Sequence, residues 1–168
     1  MIELIAAAVL SAPWVNSLAF RPLPGWHTGT SGNVGSAYVG KRKYPSVRQE
    51  SSAWIATGVR YRDPPTADPP NATLRQLPAN GIIVWAVIYQ DPKPSRSRIR
   101  LDLAGAKHFA CCEGAAVATG VYELTGSGPS RAYSVIVRVY FGSPPSRASR
   151  LQGQRALDQL RLPAPRRS

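Results

Sequence analysis

The sequence predicts an α+β fold, in which an antiparallel β-sheet of about five to seven strands packs against one C-terminal helix. Three observations support this prediction. Residues 132–141 alternate between an apolar face and a mixed face, as a strand with one buried side does. The 16 prolines and 14 glycines favour many short elements and turns, because proline interrupts helices and interior strands. After Gly142 the apolar residues recur with a helical period instead.

Length and composition indicate one globular domain. A chain of 168 residues has the size of one domain, and its 43% of hydrophobic and 18% of charged residues argue against wholesale disorder. We assign residues 13–162 to a single α+β domain and residues 163–168 to a basic tail. The net charge of +12 predicts attraction to anionic material such as nucleic acid, phospholipid or acidic wall polymers, without selecting one of them.

Residues 1–12 resemble the apolar part of a secretory signal. The run is too short to cross a bilayer, and its last residues, 10–12, are compatible with signal cleavage, but no basic residue precedes it. We therefore expect export, and an ordinary N-terminal structural segment is the alternative. Sequencing the N-terminus of the mature protein distinguishes the two, because an intact Met1 would remove this argument for export.

The next segment contains the candidate ligand-binding residues Trp26 and His27. Pro22 and Pro24 allow only an edge strand or an extended segment there, while the nearby glycines permit a sharp turn around the indole ring. We expect Trp26 to close one end of the core, or else to face a ligand together with His27. The following residues, 31–50, are rich in glycine, serine and basic side chains and predict a basic loop.

Further strands are predicted in the middle of the chain. Residues 52–61 alternate, and residues 81–90 are apolar on both faces, which predicts a strand covered on both sides. Residues 99–103 also alternate. Residues 121–125 form a short predicted strand that a glycine-rich turn joins to residues 132–141 as a hairpin.

Residues 146–161 predict the terminal helix. Ser146 offers an N-cap, and Pro163 prevents continuation. The predicted buried side consists of Gly153, Ala156, Leu157 and Leu160, with Leu151 nearly opposite.

Two groups of arginines are the candidate anion-binding residues. Arg96, Arg98 and Arg100 share one side if their segment is extended throughout. The second group shares one flank of the predicted helix and consists of Arg147, Arg150 and Arg161.

No motif predicts a catalytic residue, a metal site or a cofactor. The cluster of His108, Cys111 and Cys112 lacks the spaced cysteine pairs of a zinc site, and a Cys–His nucleophile would need contacts that spacing does not demonstrate. Packed thiols or a disulfide explain the cysteines more simply. Asp63 and Asp68 lie in a proline-rich loop, where turn formation explains both.

Arg138 and Tyr140 lie on the mixed face of residues 132–141 and are the pair that a nucleic-acid interface would use. No RNP-type motif accompanies them. We expect instead that the arginine lies over the tyrosine beneath the terminal helix.

Several short motifs occur along the chain in a recognisable order. They are Gly25-Trp26-His27, Ala53-Trp54, Thr73-Leu74, Leu77-Pro78, residues 81–85, residues 137–142 and Ala156-Leu157-Asp158. In this order they resemble a group of small exported proteins from high-GC bacteria. An early tryptophan after a proline, antiparallel strands and a closing helix are also similar to the Mog1/PsbP-like α+β layout. Neither resemblance implies an activity, so neither adds a catalytic residue.

The sequence therefore predicts a non-catalytic extracytoplasmic protein, secreted or held in the cell envelope, whose cationic surface binds anionic envelope material or a protein partner. The alternative is a cytoplasmic nucleic-acid-binding protein, whose affinity would fall steeply with salt. A small enzyme of unknown reaction is the third interpretation. We expect no cofactor and no transmembrane span.

Overall fold

The structure of the protein, a computed structural model, describes seven ranges of residues. They are 18–30, 34–38, 46–63, 70–90, 94–109, 120–129 and 133–164. The signal-like residues 1–12 and the two cysteines, Cys111 and Cys112, lie outside the described residues.

The described residues form nine strands, two α-helices and one 3-10 turn, Leu103–Gly105. None of the described helices is long and apolar enough to cross a membrane. In chain order the elements are β1 (Ala19–Phe20), β2 (His27–Thr30), β3 (Val34–Tyr38), β4 (Ser46–Thr57), α1 (Asn71–Leu74), β5 (Ile82–Gln90), β6 (Lys107–His108), β7 (Gly120–Ser127), β8 (Tyr133–Phe141), α2 (Arg147–Leu157) and β9 (Leu160–Arg161).

Seven of these strands form one antiparallel sheet, which confirms the predicted fold class. Its order is β2-β4-β5-β8-β7-β6, and β3 pairs with the first half of β4 along the same edge as β2. β5 and β8 pair in register over all nine residues, from Ile82 opposite Phe141 to Gln90 opposite Tyr133. β1 and β9 form a separate two-stranded antiparallel sheet. The predicted hairpin is present as β7 and β8.

The alternating face of β8 lies in the main hydrophobic core, as the sequence predicts. Its odd-numbered residues, from Tyr133 to Phe141, are at most 1% exposed. They pack with Ala156 and Leu157 of α2 and with Phe20 of β1. We call this the first core. It holds α2 against the sheet, because burial of these side chains removes apolar surface from water.

The opposite face of the sheet is largely covered, and the partly wet side that the mixed pattern of β8 predicts is limited to Ile136 and Arg138, which are partly exposed. Tyr140 of β8 is fully buried, and it packs with Trp85 of β5 and with Leu74 and Leu77 around α1. We call this the second core. Because β5 contributes to both cores, the prediction that this strand is covered on both sides is confirmed.

The expected position of Arg138 beneath the terminal helix is wrong. Even-numbered residues of β8 face away from the side on which α2 packs. The Arg138 guanidinium lies 4.4 Å from the ring centroid of Phe109 and 5.9 Å from that of Trp85. Its Nε donates to Glu123 Oε2 at 2.8 Å, and the two side chains are only 11% and 21% exposed. Arg138 is therefore part of the second core.

The terminal helix is shorter than predicted. Ser146 is the N-cap, as expected, and its hydroxyl accepts the Ser149 backbone N–H at 3.1 Å. The helix ends at Leu157, however, and Leu160–Arg161 pair with β1 as β9. This pairing places Leu160 opposite Phe20, where both side chains are buried in the first core. The gain from that burial explains why the helix does not continue to Arg161.

Two further segments differ from the sequence-based expectation. The predicted basic loop, residues 31–50, contains β3 and the first part of β4 instead. Residues 99–103 do not form a strand, because the Gln154 side chain binds the backbone that a neighbouring strand would bind. Its Nε2 donates to the Leu101 carbonyl at 3.0 Å, and its Oε1 accepts the Leu103 N–H at 2.8 Å.

Leu157 and Leu151 provide a matched test of the packing of α2. Leu157 is fully buried, whereas Leu151 is 59% exposed on the same helix, as predicted. We expect Leu157→Ala to lower the free energy of unfolding by about 2–5 kcal/mol. The control Leu151→Ala should change it by less than about 0.5 kcal/mol. Chemical denaturation measures both values, and equal effects would contradict the described packing.

Tyr133 fixes the end of the chain to the first core. Its buried hydroxyl donates to the Pro163 carbonyl at 2.7 Å. Burial raises the pKa of the Tyr133 hydroxyl above its ordinary value of 10.0, because the charged phenolate would lose its hydration. The folded state therefore binds this proton more tightly than the unfolded state does.

We expect the free energy of unfolding to fall at alkaline pH, because the unfolded chain loses the Tyr133 hydroxyl proton more readily than the folded protein does. The unfolded chain releases it once the pH passes about 10, whereas the folded protein retains it, so its contribution is present below pH 10 and is lost above it. Tyr133→Phe should cost about 1 kcal/mol at pH 7 and should reduce the decline between pH 10 and pH 12. Denaturation at a series of pH values measures this, and an unchanged alkaline decline in the variant would refute the assignment.

Candidate functional site

A cleft that opens to solvent lies between the turn before β2 and helix α2. Its volume is about 500 Å³. An aromatic ring, an arginine and several neutral polar side chains come together in it. The lining residues are Leu23, Pro24, Trp26, Thr57, Asn80, Gln152 and Arg155.

A tight turn holds Trp26 at one wall of this cleft. The Trp26 N–H donates to the Leu23 carbonyl at 3.0 Å, and Gly25 has a φ of 77°, a left-handed conformation that glycine adopts without a steric penalty. The indole is half-buried because it packs against the first core. Its position is therefore fixed by the core while part of the ring remains accessible.

The turn that carries Asn80 is fixed by the end of β8. The Gly81 N–H donates to the Pro78 carbonyl at 2.8 Å, and the Gly142 N–H donates to the Gly81 carbonyl at 3.0 Å. A side chain at position 142 would overlap the Pro78 carbonyl, so this close approach requires glycine. Asn80 therefore lies on a turn that the sheet holds in place.

The polar side chains of the cleft are not used by the fold. In the part of the chain that the structure describes, Thr57, Asn80, Gln152 and Arg155 make no side-chain hydrogen bond or ion pair. Gln154, which lies between Gln152 and Arg155 in α2, differs from them, because its side chain binds the backbone of Leu101 and Leu103. The hydrogen-bonding capacity of the cleft is thus available to a ligand.

The structure separates the two residues of the predicted Trp26 and His27 pair. His27 pairs with Ala56 in the sheet, and Ala56 in turn pairs with Ile83. Directly paired residues share a face, so His27 lies on the side of the second core, whereas Trp26 packs against the first. His27 is exposed and does not line the cleft.

Arg96, Arg98 and Arg100 are all exposed on the segment before the 3-10 turn. Their backbone is not extended throughout, because it bends at residues 96 and 97. Arg98 forms a single parallel bridge with Ser127 at the edge of β7. These arginines are therefore close in sequence and accessible, but they do not lie along one side of a continuously extended segment.

The second arginine group is divided by the early end of α2. Arg147 and Arg150 lie in the helix, whereas Arg161 lies in β9, opposite Ala19. Arg150 Nη2 donates to the Tyr122 hydroxyl at 2.6 Å, with its guanidinium 4.9 Å from the centroid of that ring. All three arginines are exposed, but they do not share one flank of a helix.

The carboxylates whose side chains are described are engaged within the fold. Asp63 accepts the backbone N–H groups of Ala72 and Thr73 at the start of α1, in agreement with its predicted structural role. The others bind as follows: Asp102 to the Ala104 N–H, Glu123 to Arg138, and Asp158 to Gln154 Nε2. Each is committed to a cap, to the partly buried ion pair with Arg138 or to a neighbouring side chain.

The other arginines whose side chains the structure describes have no carboxylate partner among the described residues. We call the exposed members of this set the arginine surface. It consists of Arg21, Arg60, Arg62, Arg75, Arg96, Arg98, Arg100, Arg147, Arg150, Arg155 and Arg161.

Of the cluster His108, Cys111 and Cys112, only His108 lies in the described part of the chain. His108 lies on the edge strand β6 and meets the Tyr122 ring edge-on, with 5.7 Å between the ring centroids. Within the described ranges no group of three or more histidine, cysteine, aspartate or glutamate residues could hold a metal ion. The predicted packing or bridging of Cys111 and Cys112 falls outside those ranges.

Sequence reasoning found Trp26 but missed the residues that complete the cleft. Thr57, Asn80, Gln152 and Arg155 come from three distant parts of the chain. None belongs to a motif. Only their exposure beside a structured turn or helix face distinguishes them, and that exposure depends on the three-dimensional fold.

Comparison with protein-family models, curated proteins and solved structures found no match for this chain. The resemblances to small exported proteins and to the Mog1/PsbP-like layout therefore stay predictions.

Proposed function

We propose that this protein is an extracytoplasmic binding protein whose arginine surface binds an anionic polymer of the cell envelope. The observation that supports this most directly is the division of charges in the fold. The described carboxylates accept backbone N–H groups or bind Arg138 and Gln154, while eleven arginines in the described part of the chain are exposed without a carboxylate partner. Such a surface attracts polyanions over a distance of about 8 Å at physiological salt.

Arginine suits this role better than lysine would. Its planar guanidinium forms paired hydrogen bonds with carboxylate or phosphate groups and remains charged at any physiological pH. Of the 21 basic residues, only Lys41, Lys43, Lys93 and Lys107 are lysines. The arginine surface can therefore make directed contacts with a polymer as well as attract it.

Salt-dependent binding to a defined polymer tests this proposal. We expect the full chain to bind polygalacturonate, and we expect the logarithm of the affinity to fall linearly with the logarithm of the NaCl concentration. Replacing Arg96, Arg98 and Arg100 together by glutamine should make this slope shallower by about two units. The control Leu151→Ala, which removes no charge, should leave the slope unchanged. Fluorescence anisotropy of labelled polymer measures it.

The result that contradicts this function is binding that does not depend on salt, or no binding at all. Neutral dextran serves as the reference for contacts that involve no charge. The nucleic-acid alternative makes a different prediction. If poly(dT) binds more tightly than polygalacturonate at equal salt, and RNA copurifies with the native protein, then the cytoplasmic interpretation is correct.

The proposed location rests on the apolar residues 1–12. We expect the protein in the envelope or culture-fluid fraction of its native cells, and we expect the mature chain to begin after residue 12. Cell fractionation and N-terminal sequencing measure this. Recovery from the cytoplasm with Met1 intact would overturn the location without affecting the polymer-binding test.

A further inference from the structure

We propose that the cleft beside Trp26 binds one acidic sugar unit of an anionic polysaccharide. This inference rests on the proposed function and adds the class of ligand to it. The arginine surface would attract the polymer, and the cleft would recognise a single unit within it. Its volume of about 500 Å³ falls within the range of about 300–1,000 Å³ that is common for ligand sites.

The apolar wall of the cleft fits the face of a sugar ring. Leu23, Pro24 and Trp26 lie together on one short turn. The C–H groups of a pyranose form an apolar patch, which gains dispersion energy and loses contact with water when it packs on an indole. Because the core and the Leu23–Trp26 hydrogen bond hold the ring in place, little ordering is required when a ligand binds.

The neutral polar side chains fit the hydroxyl groups of such a unit. Thr57, Asn80 and Gln152 each carry a donor and an acceptor, and no described residue uses them. A sugar hydroxyl also donates and accepts. Side-chain amides can therefore bind two hydroxyl groups of one ring, with directionality that a purely cationic site lacks.

Arg155 supplies the charge recognition. Among the described residues it is the one cation that lines the cleft, and no described carboxylate neutralises it. Its guanidinium can bind a carboxylate through two parallel hydrogen bonds. One cation beside three neutral polar side chains matches a unit that has one negative charge and several hydroxyl groups.

The neutral polar side chains, and not the charge, disfavour a nucleic-acid strand in the cleft. A nucleotide carries one negative charge, as an acidic sugar unit does. A deoxynucleotide within a strand, however, has no free sugar hydroxyl group to bind Thr57, Asn80 and Gln152. The indole of the cleft could stack on a base, so a short oligonucleotide is the appropriate competitor in the test.

The test uses the full chain with trigalacturonate as the probe, maltotriose as its neutral counterpart and the trinucleotide (dT)3 as the competitor. We expect trigalacturonate to bind with a change in tryptophan fluorescence, because Trp26 is half-exposed, and we expect maltotriose to bind at least about tenfold more weakly. Arg155→Gln should weaken trigalacturonate binding at least about tenfold. The control Lys107→Gln removes one positive charge outside the cleft and should weaken it by less than about twofold.

Two further variants separate the cleft from general electrostatics. Gln152→Ala changes an exposed side chain without changing charge, and it should weaken binding about threefold to tenfold. Trp26→Phe should remove the fluorescence change. Thermal unfolding of each variant shows whether it is folded, and because Gln152 and Arg155 are exposed their substitution should leave the melting temperature within about 2 °C of the wild type.

The outcomes distinguish this inference from the function on which it rests. If polygalacturonate binds with the expected salt dependence but Arg155→Gln and Lys107→Gln weaken trigalacturonate binding equally, the cleft is not the site and the proposed function stands. Failure of trigalacturonate to bind while the polymer binds has the same meaning. Tighter binding of (dT)3 than of trigalacturonate would overturn the ligand class. If the polymer does not bind at all, the proposed function fails.

Discussion

The burial of β5 on both faces is the constraint on which the rest of this structure depends. An interior strand satisfies its backbone hydrogen bonds through its two neighbours, but β5 also carries apolar side chains on both sides, from Ile82 to Ile88. These stabilise the fold only if both sides are shielded from water. β8 has the same requirement, since Tyr140 and Phe141 face opposite ways and are both buried. The chain therefore supplies two covers: α2 with β1 and β9 over the first core, and α1 with its flanking residues over the second.

The cleft beside Trp26 follows from the way in which the first cover is assembled. Three separate pieces of chain, the turn before β2, the Asn80 turn and α2, meet there above the end of β4. Each is fixed by contacts of its own: Trp26 by the first core, the Asn80 turn by the approach of Gly142, and α2 by Leu157. Because none of these contacts uses the polar side chains that line the space between the pieces, the fold leaves these polar groups unengaged in the described part of the chain. Rigid walls with available polar groups are the usual property of a site that binds without rearranging.

The sequence predicted those elements whose formation depends on their own side-chain pattern. Alternation in β8 and continuous hydrophobicity in β5 were sufficient, because period and burial are encoded locally in both. β3 and the first half of β4 were missed, since their glycine, serine and basic residues show no alternation and their strand structure comes from pairing with each other. Residues 99–103 show the reverse error: they alternate, but Gln154, which lies 51 residues from Leu103, binds their backbone. The residues of the candidate site show the same difference. Trp26 can be selected from the sequence by itself, whereas Arg155 can be selected only once the fold places it in the same cleft.

The arrangement of charge connects the fold to its proposed use. In a chain with 21 basic and 9 acidic residues, the positive charges repel one another. The described carboxylates reduce this repulsion little at the surface, because they are committed to caps and to the pair with Arg138. A polyanion that binds the arginine surface removes this repulsion in the folded state, so binding and stability are linked by mass action. Long-range attraction of this kind raises the rate of encounter but discriminates poorly among polyanions. Discrimination requires a place where shape and neutral hydrogen bonds act together with a single charge, and in the described part of the chain the cleft between Trp26 and Arg155 combines all three.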